Sequence, residues 1–131
     1  MAEGSISQQN LPNPSEQAVI IYLDGKNLPI QVYKKYDLAT LESNLSKRLN
    51  ERGFGEYDGN QVSATETKLY IYGNDAEQIF KSIKPILEDY PLSDGAIVRI
   101  RKGPPGAPTR QAKIEGGRRK QGINWPFKKP V

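Results

Sequence analysis

Two hydrophobic periods alternate along this chain, and their order limits the folds open to it. The run Thr67 to Tyr72 (TKLYIY) alternates residue by residue and closes at Gly73, the pattern of a strand with one buried face. Ala18 to Leu23 (AVIIYL), rich in β-branched residues and stopped by Asp24 and Gly25, reads as a second strand. Ala96 to Arg101 (AIVRIR), after Pro91 and Gly95, reads as a third. Helical spacing fills the gaps. Leu38, Leu41, Leu45 and Leu49 form one stripe, with Asp37 placed to cap its start and Gly53 to end it. Ala76, Ile79, Phe80, Ile83, Ile86, Leu87 and Tyr90 form the other, behind a cap at Asn74 or Asp75 with Glu77 or Gln78 as box partner. Pro85 lies inside that stripe and is expected to kink the helix or start a separate last turn. Leu28 to Tyr33 reads as extended, and Pro29 gives it an edge position or a continuation past a bend. Residues 55–63 supply the remaining strand, the least regular one because Asp58, Gly59 and Asn60 favour a turn.

The order strand, helix, strand, strand, helix, strand predicts an α+β protein of the ferredoxin-like βαββαβ type. Two helices should cover one face of a four-stranded antiparallel sheet. The domain is expected to occupy residues 18–102. Residues 1–17 and 103–131 read as flexible N- and C-terminal arms, the latter a basic, Pro/Gly-rich tail expected to be disordered. Proline, glycine and charge leave these arms too little apolar surface to offset chain entropy.

A resemblance adds to this reading. Gly55-Glu56-Tyr57-Asp58-Gly59-Asn60, then Leu69 to Gly73, then Asp75-Ala76 opening an apolar helix, resembles a group of small bacterial α+β proteins. These carry a Gly-Glu-x-Asp-Gly-Asn turn, a strand and a Gly-x-Asp-Ala helix start. The resemblance covers about residues 18–102. It implies the ferredoxin-like fold and no established activity.

Composition removes most catalytic chemistry. The chain has no cysteine and no histidine. Disulfides, thiolate zinc sites, cysteine nucleophiles and the Ser-His and Cys-His pairs are therefore excluded. Carboxylate or lysine chemistry has no supporting motif, and neither does a cofactor; the expectation is a protein that is not an enzyme. Glu56, Asp58, Asn60 and Glu66 are oxygen-rich, but their spacing does not match a calcium loop, and a turn held by Asp and Asn side chains accounts for them. The polar first 17 residues do not read as a signal peptide. The longest apolar run, Ala18 to Leu23, is far short of the ~20 residues a membrane span needs. A cytoplasmic protein without a membrane partner is expected.

Charge points to a partner. Residues 101–131 carry nine basic side chains against one acid, Glu115, whereas residues 1–100 carry ten basic and fourteen acidic. An acidic body with a basic tail predicts attraction to a polyanion or to an acidic protein surface. Within the tail, Arg118, Arg119 and Lys120 can neutralise phosphates, and Lys128 and Lys129 follow Trp125, a rigid apolar docking anchor.

The sheet offers a second candidate surface. With Leu69, Ile71, Val98 and Ile100 pointing inward, alternation turns Tyr70, Tyr72, Arg99 and Arg101 to the opposite face, and Tyr22 likewise. Tyr22, Tyr70 and Tyr72 should then sit side by side on the two central strands, where RNA-recognition domains place their stacking aromatics. The Lys/Arg-Gly-aromatic signature of those domains is absent, since Thr67-Lys68-Leu69 stands in its place. The sequence thus predicts a non-enzymatic binding protein that engages RNA or another nucleic acid through this face and the basic tail. The alternative is a protein-interaction module, such as an immunity or inhibitor-like protein or an assembly subunit, docking by the tyrosine face or by Trp125.

Overall fold

A computed structural model describes residues 17–115. It is an α+β structure with one open, fully antiparallel sheet of five strands. The elements are β1 (Gln17–Asp24), α1 (Ile30–Lys35), α2 (Leu38–Arg52), β2 (Gly55–Val62), β3 (Glu66–Gly73), α3 (Ala76–Asp89), a 3-10 turn (Pro91–Ser93), β4 (Ile97–Arg101) and β5 (Thr109–Lys113). Strand order is β2-β3-β1-β4-β5. β1 is therefore central, bonded to β3 on one side and to β4 on the other.

Alternation on the three inner strands builds the core. Val19, Ile21 and Leu23 of β1, Leu69 and Ile71 of β3, and Val98 and Ile100 of β4 are all buried on the side that carries the helices. α2 contributes Leu41, Leu45 and Leu49, and α3 contributes Ala76, Ile79, Phe80, Ile83 and Leu87. Both helices start as their sequences predict. The Asp37 carboxylate accepts from the Thr40 N–H at 3.3 Å, and Asp75 accepts from the Gln78 N–H at 3.2 Å. The Gln17 side chain adds a second acceptor at the α3 start, taking the Ala76 N–H at 2.8 Å. Gly53, at φ 74°, ends α2 in the left-handed conformation. At the far end the Tyr90 hydroxyl donates to the Asp37 carbonyl at 2.7 Å, and its ring stacks edge-on against Tyr36. The two helices are thus joined where one ends and the other begins.

Four expectations change. The run Leu28 to Tyr33 is not a strand: Ile30 to Lys35 form the short helix α1 behind Pro29. Pro29 fixes an extended residue just before the first turn, and Val32 anchors that turn in the core. No separate last turn starts at Pro85: α3 runs through it to Asp89 as one element, with Pro85 facing solvent and Leu87 buried beyond it. Asp58 and Gly59 do not turn the chain. They form a bulge in β2 between Tyr57 and Gly59, and the reversal comes later, where Ser63 bonds back to Glu66.

The fourth change is the largest. The sheet has five strands where four were expected, and β5 lies in the segment read as tail. The loop through Gly103 to Pro108 reverses the chain with Gly106 at φ 97°, and residues 109–113 pair with β4 from Arg101↔Thr109 to Ile97↔Lys113. Ile114 then plugs the core, fully buried, with its N–H bonded to the Ala96 carbonyl at 2.8 Å. On the helix side Arg110 crosses the Phe80 ring and forms two bonds to Glu77, at 2.7 and 2.8 Å. Lys102 approaches the same carboxylate at 3.4 Å. The expected N-terminal arm up to Glu16 lies outside the described residues.

Two outcomes follow from this anchoring. Truncation of a buried isoleucine to alanine costs ~2–5 kcal/mol, and each ~1 kcal/mol moves a domain of this size by ~4–8 °C. A chain ending at Gly103 should therefore melt at least about 8 °C below one ending at Glu115 by calorimetry; equal midpoints would show that β5 does not hold in solution. The second outcome concerns acid. The Arg110 hydrogen bonds, reinforced by the charges of Arg110 and Lys102, hold the Glu77 carboxyl at about 2, below its ordinary 4.5. A depressed carboxyl contributes stability that is present above its ordinary value and lost as pH falls toward 2. Between pH 5 and pH 2 the melting midpoint of the wild type should therefore fall more than that of Glu77→Gln. Parallel curves would mean that the clamp is not formed.

Candidate functional site

Helices cover one side of the sheet only, so the other side displays three rows of side chains across all five strands. The register defines them. The first row runs Glu56, Tyr72, Ala18, Arg101, Thr109. The second runs Gly59, Tyr70, Ile20, Arg99, Gln111, and the third Gln61, Lys68, Tyr22, Ile97, Lys113. Tyr22, Tyr70 and Tyr72 are each half-buried, with part of the ring in solvent, and Arg99 is exposed. The face is therefore as alternation predicts: the tyrosines point away from the helices and the arginines flank them.

The detail differs from a simple tyrosine row. Tyr22 pairs with Lys68, and Tyr70 with Ile20, so Tyr22 lies diagonally from Tyr70 and not beside it. The Lys68 ammonium sits over the Tyr22 ring, 5.6 Å from its centroid, a cation–π contact. The Tyr70 hydroxyl donates to Gln61 at 3.0 Å, which fixes the ring on β3 from its neighbour β2. Arg101 donates from Nε to the Gly103 carbonyl at 2.7 Å, turning it toward the β4–β5 loop. Lys68, Gln61, Gln111 and Lys113 were missed as face residues. Lys68 shares the parity of Tyr70 and could have been found by the same alternation. Gln111 and Lys113 could not, because β5 had no apolar period to reveal it.

Charge is graded across the face. Glu56 lies at the β2 edge, while Lys68, Arg99, Arg101 and Lys113 lie progressively toward β5. The helix side differs, because Glu77 takes both Arg110 and Lys102 there. Among the described residues Arg99 and Lys113 form no ion pair.

The oxygen-rich residues of β2 serve the fold. Tyr57 and Asn60, on either side of the bulge, both bond to the Glu42 carboxylate of α2, Asn60 at 2.6 Å. Burial, with the Glu42 acceptor second, pushes the Tyr57 phenol above its ordinary value. No group of three or more acidic side chains that could hold a metal ion occurs among the described residues. No helix among them is long and apolar enough to cross a membrane. Arg118, Arg119, Lys120, Trp125, Lys128 and Lys129, the expected binding residues of the tail, lie outside the described residues.

Comparison of the chain with family models, with curated proteins and with solved structures returns no match.

Proposed function

We propose that this protein is a non-enzymatic binder of single-stranded nucleic acid, RNA foremost. Its body reads as a ferredoxin-like split βαβ sandwich extended by one edge strand. One observation carries the reading: three tyrosine rings stand half-exposed on a sheet face that no helix covers, among Lys68, Arg99 and Arg101. Every base has a π-face, so tyrosines on a rigid strand supply stacking energy with little demand on sequence. The surrounding cations add the sequence-independent attraction to phosphate. Duplexes fit poorly, since their bases are already stacked and unavailable to a flat aromatic platform. The basic residues Arg118, Arg119 and Lys120 add a further electrostatic contribution from the tail.

Fluorescence anisotropy with a single-stranded RNA ten-mer of mixed sequence tests both parts. Replacing Tyr70 or Tyr72 by Ala should weaken binding by ~1–3 kcal/mol each while leaving the far-UV spectrum unchanged. Replacing Arg118, Arg119 and Lys120 together by Ala should reduce the slope of log affinity against log salt by up to ~2, at ~0.7 per phosphate contact on a single strand. Wild-type affinity with no response to the tyrosine changes would reject the face as the site. An unchanged slope would reject phosphate contacts by the three tail cations.

A further inference from the structure

We infer that the β4–β5 side of the open face is the phosphate track of the bound strand, with Lys113 and Gln111 as binding residues beside Arg99. This rests on the single-strand reading above and adds to it the orientation of the ligand and two residues of β5. Three features of the fold lead there. The face carries its tyrosines on one side and most of its cations on the other: Tyr70 and Tyr72 lie on β3 and Tyr22 on β1, with Lys68 held over the Tyr22 ring, whereas Arg99 and Arg101 lie on β4 and Lys113 on β5. The strands of a sheet are ~4.8 Å apart, so bases on β3 and β1 place their phosphates one or two strands away, over β4 and β5. The opposite edge carries the exposed carboxylate of Glu56, whose charge repels phosphate.

Charge compensation is the second feature. β5 carries two cations on opposite sides of the sheet. Arg110 on the helix side is held by the Glu77 carboxylate, and Lys102 joins it there. Lys113 on the open side has no carboxylate partner among the described residues, and neither does Arg99 two positions away in the register. On β5, therefore, the cation without a carboxylate partner among the described residues stands on the open face, on a strand that the tyrosines do not occupy. Gln111, opposite Arg99, adds an exposed amide able to donate to a phosphate oxygen.

The third feature is where the chain leaves the sheet. Ile114 is fully buried and bonded to Ala96, which fixes the end of β5 next to Lys113. A strand end held by the core keeps Lys113 at a fixed place on the face, beside Gln111 and Arg99.

The test uses the full chain and the same RNA ten-mer, with Lys113→Gln compared against Lys81→Gln. Lys81 is an exposed lysine of α3 on the helix side, so its loss changes net charge equally without touching the face. Lys113→Gln should lower the salt slope by ~0.7 and weaken binding about fivefold at 0.1 M salt, equally for different sequences, the loss expected of one phosphate contact. Lys81→Gln should change neither. If Tyr72→Ala weakens binding but Lys113→Gln and Lys81→Gln behave alike, the face binds RNA and the track is wrong. If the tyrosine variants bind as the wild type does, the face reading fails and the track fails with it.

Discussion

The parity of β1 governs this structure. It lies between β3 and β4, and its pairings Val19↔Ile71 and Val19↔Ile100 put three strands into one register in which Val19, Ile21, Leu23, Leu69, Ile71, Val98 and Ile100 all face α2 and α3. A slip of one residue would exchange Val19, Ile21 and Leu23 for Ala18, Ile20 and Tyr22 in the core. The buried set would lose volume, and a phenol would enter an apolar interior without a partner. The same parity makes the outer face what it is. Residues rejected by the core, two tyrosines on β3, one on β1 and two arginines on β4, are displayed together because no second layer of helices covers them.

The edge strand links that face to the rest of the molecule. β5 adds little apolar surface of its own, since Ala112 alone among its residues packs against the core. What holds it is pairing with β4, the Arg110–Glu77 clamp, and Ile114 seated beyond its end. Glu77 stands in the first turn of α3, where a carboxylate is also favoured by the helix dipole. A single acid thus stands in the first turn of a helix, holds an edge strand and pairs with both Arg110 and Lys102. On β5 the cation without a carboxylate partner among the described residues is Lys113, on the open face.

Much of this is legible in the sequence, and the exceptions have physical causes. TKLYIY and AVIIYL show their strand period because one side of each packs on helices. The caps at Asp37 and Asp75 are visible because a short acceptor side chain precedes an apolar stripe. β5 is different. TRQAK is held by main-chain bonds and an ion pair with a residue 33 positions away, neither of which leaves an apolar period. The one signal was Ile114, a lone aliphatic residue among charges, which is the residue the core takes. Leu28 to Tyr33 is too short to show a helical period, and Pro29 suits an edge strand as well as a helix start, so α1 leaves no mark in the sequence. Asp58-Gly59-Asn60 favours a turn and a bulge alike. Contact with α2 through Glu42 decides between them, and that contact is tertiary. For the site, alternation identified the tyrosines and arginines. Their diagonal arrangement, the lysine over Tyr22 and the contribution of β5 required the pairing register.

The account stands on one claim: the uncovered face binds a single strand with its bases over β3 and β1. Backbone chemical-shift mapping of the full chain with a short single-stranded RNA addresses it most directly. The account predicts that the largest shifts cluster at Tyr22, Lys68, Tyr70, Tyr72, Arg99 and Lys113, while the exposed positions of α2 and α3 stay fixed. Shifts confined to the helix side, or to residues beyond Glu115 with none on the sheet, would contradict it.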